Sequence, residues 1–441
     1  MNVAVVGIGR IGLPLAAKIA SQGHRVFGCE VRQERVDQVN RGENPIPDEA
    51  GLGELLKDVV ARGLLTATSA TADAVAQCET VLFAVAVDVG ADHRADLRYL
   101  LQACDDVSAG LTPGTLCIFD TTLPVGTTRA ELAPRLGQRG LRLGVDYHVA
   151  FSPERLLMGR VIEDLGKYPK VVGGVDAEGG RRAAAFYAAV FGGEVYELGS
   201  AEAAELSKLA EGAYRDLNIG LANELAQVAD AYRVDINEVI RAANSQPYSH
   251  IHTPGTGVGG HCIPVYPHFL VQGRGPSQLS ALGREVNDAM PGYAVERLAG
   301  VAGGLAGKRV LVMGLTFRPD VAVTWHSNAL DLCRELRACG AIPLGNDPLL
   351  TPEGIASLGF EPVSLADGPF DAAIVHAYHR AYREMDWSRV APIVLDARNA
   401  LAWTAVEAGG VTYLGVGRPT VSGVALAAAP PASVSTPAAV S

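Results

Sequence analysis

A chain of 441 residues is longer than one ordinary hydrophobic core supports, so we expect two or three domains. Its 48 acidic and 37 basic side chains give a net charge of −11, which disfavours a broad electrostatic surface for nucleic acid or anionic lipid. The seven cysteines form no CxxC pair, which disfavours disulfides and a metal site and indicates a reducing, cytoplasmic setting, and no apolar run approaches the ~18 residues of a membrane span.

The N-terminus has the pattern of a βαβ unit that binds a dinucleotide. The run "VAVVGIG" is followed by the helix-like "RIGLPLAAKIASQG" and by a second apolar run, "RVFGCEV". Gly7, Gly9 and Gly12 form GxGxxG between strand and helix, where a pyrophosphate can approach the helix N-terminus. Glu30 ends the second strand, where a carboxylate accepts hydrogen bonds from the adenosine ribose and repels a 2′-phosphate. The pattern predicts NAD in preference to NADP, and the alternative is a purely structural glycine turn.

Two more buried strands, each with a polar segment downstream, continue this domain. The runs "TVLFAVAV" and "GTLCIFDTT" indicate a parallel sheet covered by helices through about residue 195. The segment "DTTLPVGTT" places hydroxyls directly after a strand, where ligand loops lie in open α/β sheets, although a simple turn explains it too. In "FSPER", Glu154 follows a proline, and a single glutamate is usually only a solvated charge.

Between Ser200 and Ala243 the pattern becomes helical. The apolar positions that support one long helix are Leu206, Leu209, Leu217, Leu221 and Leu225. Lys208 lies three residues from both Glu205 and Glu211, which is typical of a surface ion pair. The stretch has more apolar residues than one helical stripe needs, which predicts a homodimer joined through this helix.

A second series of strands and helices follows the helical stretch. Its strands are predicted in "KRVLVMGLTFRPD", "AIPLGNDP", "FDAAIVHA" and "APIVLDARN". We therefore predict an α/β protein with two Rossmann-like doubly wound domains joined by a central helical dimerisation domain. The predicted boundaries are residues 1–198, 199–298 and 299–418. Residues 419–441 are predicted to be a disordered tail, because they are small, contain prolines and carry no charged side chain.

The stretch "GTGVGGHCIP" places Cys262 where few side chains surround the backbone. Cysteine normally lies in cores, so this position indicates either a tight turn that ends in a cysteine or a thiol kept open for a ligand. The stretch alone leaves both interpretations open.

Together these motifs resemble the UDP-glucose/GDP-mannose dehydrogenase family. The resemblance rests on the N-terminal GxGxxG, "TTLPVGTT", "SPER", the helix with Lys208 followed by "NIGLANELA", "GVGGHCIP", "VNDAMP" and "VLVMGLTFRPD", in this order. It spans about residues 1 to 415. "GVGGHCIPV" is most similar to members that oxidise UDP-N-acetylhexosamines.

The resemblance implies an NAD-dependent, four-electron oxidation of a UDP-sugar C6 alcohol to the uronate. The sugar is UDP-glucose or a UDP-N-acetylhexosamine. Cys262 captures the aldehyde as a thiohemiacetal, Lys208 stabilises the alkoxide and Glu154 handles protons during thioester hydrolysis. Thr122 and Asn223 match positions near the reacting centre. The cofactor contacts predicted are Gly7, Gly9, Ile11, Gly12, Glu30, Arg35 and Thr122. The substrate contacts predicted are Glu154, Arg155, Lys208, Gly259, Cys262 and Arg318.

Some positions depart from the family pattern. Tyr266 stands where many relatives have Asp, four residues after the cysteine, and Gly212 stands where many have Asn, four residues after the lysine. The usual Pro-Thr-Pro after the fourth strand is replaced by residues 86–88, "AVD". Trp325 takes the place of an arginine that reaches into the neighbouring subunit's site. The exchange at Tyr266 changes the charge beside Cys262.

Two other classes of protein remain open from the residues. A two-electron β-hydroxyacid-type dehydrogenase shares the N-terminal architecture and a helix lysine, but it needs neither the thiol nor a third domain. A non-catalytic protein that binds NAD or a nucleotide sugar is favoured only by Tyr266 and Gly212. The three classes predict two, one and no NADH per sugar.

Overall fold

The computed structural model describes residues 1–90, 92–156, 159–273, 276–402 and 410–421. The chain folds into two compact units: the first is Met1–Gly220 with Val258–Asn287, and the second is Leu221–Gly257 with the described part of Asp288–Ser441. The predicted boundaries at residues 198 and 298 stay predictions. Residues 422–441 of the predicted tail lie outside the described residues.

The first unit contains an eight-stranded sheet. Its strands are β1 (Asn2–Val6), β2 (Arg25–Cys29), β3 (Leu65–Thr68), β4 (Thr80–Phe83), β5 (Thr115–Phe119), β6 (Tyr147–Phe151), β7 (Lys170–Gly174) and β8 (Val195–Leu198). Their order is β3-β2-β1-β4-β5-β6-β7-β8. All neighbours are parallel except β6 and β7, which are antiparallel. The doubly wound sheet is confirmed, and the order reverses between β1 and β4, where ligands bind in such folds.

Helices cover both faces of this sheet. They are α1 (Gly12–Ser21), α2 (Gln33–Asn40), α3 (Leu52–Ala61), α4 (Thr71–Val75), α5 (Arg98–Gly110), α6 (Ala133–Leu136), which follows a π-helical turn (Thr128–Leu132), α7 (Val161–Asp164) and α8 (Ala177–Phe191). Successive strand residues enter opposite cores: Val3 and Val5 belong to one cluster, whereas Ala4 and Val6 belong to the other. Since both faces are buried, the strands read as continuous apolar runs.

The predicted helical stretch between Ser200 and Ala243 contains the first two of the next four helices in the chain. These are α9 (Ala201–Tyr232), α10 (Ile236–Ala243), α11 (Tyr266–Val271) and α12 (Gln278–Ala302). In the first half of α9 the buried side chains recur at helical spacing, and Ala201, Ala204, Lys208 and Leu209 are among them. Lys208 therefore lies on the buried face of α9, so its ion pair with Glu211 is not the surface pair that the spacing predicts.

The second unit contains a parallel six-stranded sheet. Its strands are β9 (Arg309–Met313), β10 (Ile342–Asn346), β11 (Glu361–Pro362), β12 (Ala372–Val375), β13 (Ile393–Asp396) and β14 (Thr412–Gly415), and its helices are α13 (Ala329–Ala338) and α14 (Pro352–Ser357). The strand order is β11-β10-β9-β12-β13-β14. Short 3₁₀ turns follow at Leu365–Asp367, Arg380–Tyr382 and Trp387–Arg389. The order again reverses beside the first strand, which confirms the second Rossmann-like sheet.

Candidate active site

The glycine turn after β1 leaves room for a ligand beside the backbone. Gly7 has a φ of +90°, which favours glycine. A Cβ on Gly12 would lie 2.0 Å from the carbonyl oxygen of Gly7, whereas a Cβ on Gly9 would meet no atom within 4 Å. Helix α1 begins here, and its N-cap residue Ile11 has no side-chain oxygen to cap the first amides. The turn therefore fits a pyrophosphate, because open space adjoins the partial positive charge of a helix N-terminus.

The acidic residue predicted for the ribose lies at the end of β2. The side chain of Glu30 is 8% exposed, and its Oε1 accepts hydrogen bonds from the backbone N and from Nε of Arg32, at 3.1 and 3.3 Å. Arg35 donates to the carbonyl oxygen of Ile8, at 3.3 Å, and so reaches the glycine turn. Burial, followed by the nearby Arg32, lowers the pKa of Arg35. The structure thus gathers Glu30 and Arg35 around the same end of the sheet as the glycines.

The polar loop after β5 is fixed to the buried face of α9. Glu205 accepts hydrogen bonds from the backbone N of Gly126 at 2.5 Å, and from the backbone N and Oγ1 of Thr128 at 2.9 and 2.6 Å. Thr122 lies in this loop and is almost fully buried, and its side chain acts against the rise that burial causes in the pKa of Tyr266. The loop is therefore more than a simple turn, because it brings Thr122 to the segment that carries Cys262.

Cys262 lies just before α11, and Tyr266 begins that helix. The Tyr266 hydroxyl donates to Cys262 Sγ at 3.3 Å, and the backbone N of Tyr266 donates to the carbonyl oxygen of Cys262 at 3.0 Å. Lys208 Nζ lies 5.6 Å from the centroid of the Tyr266 ring. The predicted thiol and ammonium are thus brought together around Tyr266, whose contact with the sulfur was not predicted.

Several groups set the protonation of this thiol. Burial acts to raise the pKa of Cys262, but side-chain hydrogen bonds from His261 and Tyr266 and the charge of Lys208 outweigh it, so the pKa is lowered. The structure therefore shows a thiol in surroundings that favour the thiolate, the reactive form of cysteine.

Lys208 is a buried ammonium with a nearby carboxylate. It is 5% exposed, and its Nζ lies 3.9 Å from Oε1 of Glu211. Burial lowers the pKa of Lys208, while Glu211 and the charges of Cys262 and Glu154 oppose that change. Glu211 is also 3.4 Å from Nε of Arg155. The ammonium is therefore available for a charge that develops close to the thiol.

Glu154 is held by a buried lysine that the sequence did not single out. Its Oε2 accepts from Nζ of Lys170 at 3.0 Å, and its Oε1 accepts from the backbone N of Arg155 at 2.7 Å. Both side chains of the ion pair are nearly buried, at 13% and 11% exposure. The solvated-charge interpretation of Glu154 is therefore wrong.

A second carboxyl group lies behind this ion pair. Asp120, which follows β5, accepts a short hydrogen bond from the Tyr187 hydroxyl, and Lys170 Nζ lies 4.5 Å from the centroid of that tyrosine ring. Burial raises the pKa of Asp120 to about 7, although Lys170 opposes the rise. Asp120 follows one buried strand and Lys170 begins another. These positions at strand ends were the indication in the sequence that the two residues could belong to a site.

Some predicted residues fall elsewhere. Asn223 and Arg318 belong to the second unit: Asn223 Oδ1 accepts from the backbone N of Gly255 at 2.9 Å, and the Arg318 guanidinium lies 5.6 Å from the Phe317 ring centroid. Their predicted roles stay predictions. Gly259 lies in the same glycine loop as Cys262, within the first unit.

Two kinds of site are absent from the ranges that the structure describes. They contain no group of three or more His, Cys, Asp or Glu side chains that could hold a metal ion. No helix within them is long and apolar enough to cross a membrane.

Comparisons with known proteins agree with this geometry. Residues 1–191, 202–288 and 311–402 match the NAD binding domain, the central domain and the UDP binding domain of the UDP-glucose/GDP-mannose dehydrogenase family, which confirms NAD as the cofactor. A UDP-N-acetyl-D-mannosamine dehydrogenase of Pyrococcus horikoshii is 31% identical over 95% of this chain and 99% of its own length. The enzyme of the same name from Escherichia coli K12 is 35% identical over 75% of this chain and 81% of its own.

Solved structures give the same result. The UDP-D-ManNAc dehydrogenase of Pyrococcus horikoshii superposes with a TM-score of 0.87 at 31% identity, covering 95% of this chain and 100% of that one. A UDP-glucose dehydrogenase from Pyrobaculum islandicum gives a TM-score of 0.84 at 28% identity, covering 95% and 98%. Because its three domains match the three family models in order, and a relative is 31% identical over 95% of its length, the chain belongs to the UDP-glucose/GDP-mannose dehydrogenase family.

Proposed function

We propose that this protein oxidises the C6 alcohol of UDP-N-acetylmannosamine to the uronate in two steps, through a covalent adduct on Cys262. The observation that carries the proposal is the thiol itself, which is hydrogen-bonded by Tyr266 at 3.3 Å and acted on by the charge of buried Lys208. The choice of sugar is supported by the relatives, several of which are UDP-N-acetyl-D-mannosamine dehydrogenases.

The cofactor is held by the chain's first unit. The open space at Gly9 and the tight turn at Gly7 and Gly12 would receive its pyrophosphate, and Glu30 would receive its adenosine ribose. When bound, NAD supplies the oxidising chemistry by accepting one hydride in each of the two oxidations.

Cys262 keeps the intermediate in place between the oxidations. Its sulfur donates an electron pair to the aldehyde carbon, the carbonyl pair moves to oxygen, and a proton completes the thiohemiacetal. Lys208 stabilises the alkoxide that precedes each oxidation, because a buried ammonium interacts more strongly with charge than an exposed one. Water then adds to the thioester, the carbon–sulfur bond breaks with its electron pair returning to Cys262, and Glu154 takes up the proton released by water.

The number of NADH molecules formed per sugar tests this function. We expect two NADH for each UDP-N-acetylmannosamine consumed, with the uronate identified by mass spectrometry, because both oxidations use the same site. UDP-glucose and GDP-mannose serve as competing substrates, and UDP-N-acetylmannosamine should have the highest kcat/KM. One NADH per sugar would favour the β-hydroxyacid class, no NADH would favour a binding protein, and a higher kcat/KM for UDP-glucose would reject the proposed sugar.

The protein is further proposed to be a homodimer joined through α9. The large apolar side chains exposed along this helix are Leu206, Tyr214, Leu221, Val228 and Tyr232. Their spacings of four, seven and eight residues place them on one side of the helix. Exposed apolar residues are ordinary when scattered singly, but a continuous stripe is typical of an interface.

Replacing Leu221 and Val228 together with glutamate is expected to convert the dimer into a monomer in sedimentation velocity. Each subunit would have to bury two carboxylates in the interface, and these would face the like charges of the partner subunit. Tyr99 on α5 is also exposed, so Tyr99→Glu is the matched control and should leave the dimer intact. A wild-type protein that sediments as a monomer at micromolar concentration would contradict the interface.

A further inference from the structure

The two departures from the family pattern around Cys262 are in direct contact. A Cβ built on Gly212 would lie 3.1 Å from both Cβ and Cδ2 of Tyr266. The tyrosine is only 5% exposed, so its ring has little space into which it could move. An asparagine at position 212 would add further atoms to the same crowded place. The glycine therefore makes room for the ring, and the two departures act as one coupled exchange.

The ring brings a hydroxyl to the reacting sulfur. Tyr266 is fixed at both ends, because its backbone N donates to the carbonyl oxygen of Cys262 while its hydroxyl donates to Sγ. An ionised aspartate at this position would accept hydrogen bonds and could donate none to a thiolate. The phenol also stays protonated near neutral pH, since burial, with the thiolate charge, raises the pKa of Tyr266 well above its ordinary value.

The other groups that act on the thiol come from three elements. Lys208 on α9 supplies a positive charge, and Glu211 and Arg215 on the same helix act on that lysine. His261, in the loop that carries the cysteine, also acts to lower the pKa of Cys262. Glu154, in the segment after β6, acts on Lys208 through its charge. Tyr266 is the donor that α11 contributes, and its ring packs against Gly212.

We propose that the Tyr266 hydroxyl is a catalytic group of this enzyme that holds Cys262 as a hydrogen-bonded thiolate, and that Gly212 is the residue that admits it. The role rests on the proposed covalent function. The hydrogen bond weakens when the sulfur electron pair forms the bond to C6 and is regained when the thioester breaks and the pair returns to sulfur. A stabilised thiolate is the better leaving group, so the hydroxyl mainly assists thioester hydrolysis.

The acidity of Cys262 tests the hydrogen bond without any turnover. The rate of alkylation by iodoacetamide is measured against pH on the full chain, with the modified peptide identified by mass spectrometry because Cys339 is also exposed. Tyr266→Phe should raise the apparent pKa of Cys262 by about one unit, the size expected for a charge-assisted hydrogen bond. Tyr147→Phe is the matched control, since this buried tyrosine of the same unit donates to the carbonyl oxygen of Ala133. An unchanged thiol pKa in Tyr266→Phe would overturn the proposal.

The coupling with Gly212 is tested by a double-mutant cycle in thermal unfolding. Gly212→Asn should lower Tm because of the clash, and Tyr266→Asp should lower Tm because it leaves a void and places a carboxylate beside the thiol. The decrease in Tm of the double variant should be smaller than the sum of the decreases in the two single variants, since the asparagine would then occupy the space of the ring. Additive losses would overturn the coupling.

These readouts separate this inference from the proposed function. The alkylation and thermal unfolding measurements need no sugar and no oxidation. Tyr266→Phe can therefore raise the pKa of Cys262 in a protein that forms no uronate. That result would reject the covalent function and leave the hydrogen bond standing. Uronate formation at two NADH per sugar, with an unchanged pKa of Cys262 in Tyr266→Phe, would support the covalent function and reject the hydrogen bond. With both correct, Tyr266→Phe should accumulate thioester, trapped by acid quench and detected as an increase in protein mass.

Discussion

Replacing Cys262 with alanine is expected to abolish uronate formation while NAD binding is retained. The alanine offers no electron pair to the aldehyde, so no adduct can hold the intermediate for the second oxidation. The cofactor turn at Gly7, Gly9 and Gly12 is built from a distant part of the chain and makes its own contacts with β1 and α1. The measurement is uronate by mass spectrometry, together with NAD affinity by calorimetry.

Two further variants make this result specific. Cys262→Ser keeps a similar shape but is a poorer nucleophile and a worse leaving group, so carboxylate formation should fall at least about 10³-fold or stop at a slowly hydrolysed ester. Cys339 is exposed beyond the end of α13, and Cys339→Ala should leave the rate unchanged. If Cys262→Ala made the uronate at the wild-type rate, the cysteine would be merely a packing residue and the covalent mechanism would be wrong.

The sheets could be predicted because their strands are short, apolar and separated by helical segments. The direction of β7 could not. Its sequence, "KVVGG", has the same apolar character whichever way the strand runs, and the antiparallel pairing of Ala150 with Gly174 depends on how the preceding loop returns. Hydrophobic periodicity reports which faces are buried and carries no information on strand direction.

The spacing of charged residues along the sequence gave a wrong prediction of the surroundings of Lys208. Glu205 and Glu211 lie three residues away on either side, which is the pattern of a surface ion pair. In the structure, Glu205 instead accepts hydrogen bonds from Gly126 and Thr128, far away in the sequence. The tertiary contact therefore removes one of the local partners and buries the helix face, and only the family resemblance predicted the role of the lysine.

The polar network behind Glu154 was missed for a related reason. Lys170 and Asp120 lie 50 residues apart, and each alone looks like an ordinary charge at the end of a strand. Their proximity follows from the order β5-β6-β7 and from the antiparallel direction of β7, which brings its first residue to the edge of the sheet where β5 ends. Tyr266 differs, because the sequence identified it as a departure, but its contact with Gly212 depends on how α11 packs on α9.

Replacing Lys208 with methionine is expected to lower kcat about 10²- to 10³-fold, the usual effect of removing a group that stabilises charge in the transition state. Methionine has a similar length and suits a buried position, so the fold should be retained. The apparent pKa of Cys262 should also rise, because the Lys208 charge favours the thiolate. The measurements are steady-state kinetics and the pH dependence of alkylation. Lys57 on α3 is exposed, and Lys57→Met is the matched control.

The pH profile distinguishes a charged role from simple packing. Burial lowers the pKa of Lys208, so the ammonium is lost at a lower pH than for an ordinary lysine, and wild-type kcat/KM should decline on the alkaline side as that proton leaves. Lys208→Met has no proton to lose there, so its residual activity should lack this alkaline decline. Lys208→Arg should not rescue the rate, since a planar guanidinium does not fit the place of a compact ammonium. An alkaline decline that persists unchanged in Lys208→Met would assign it to another group and remove Lys208 from the chemistry.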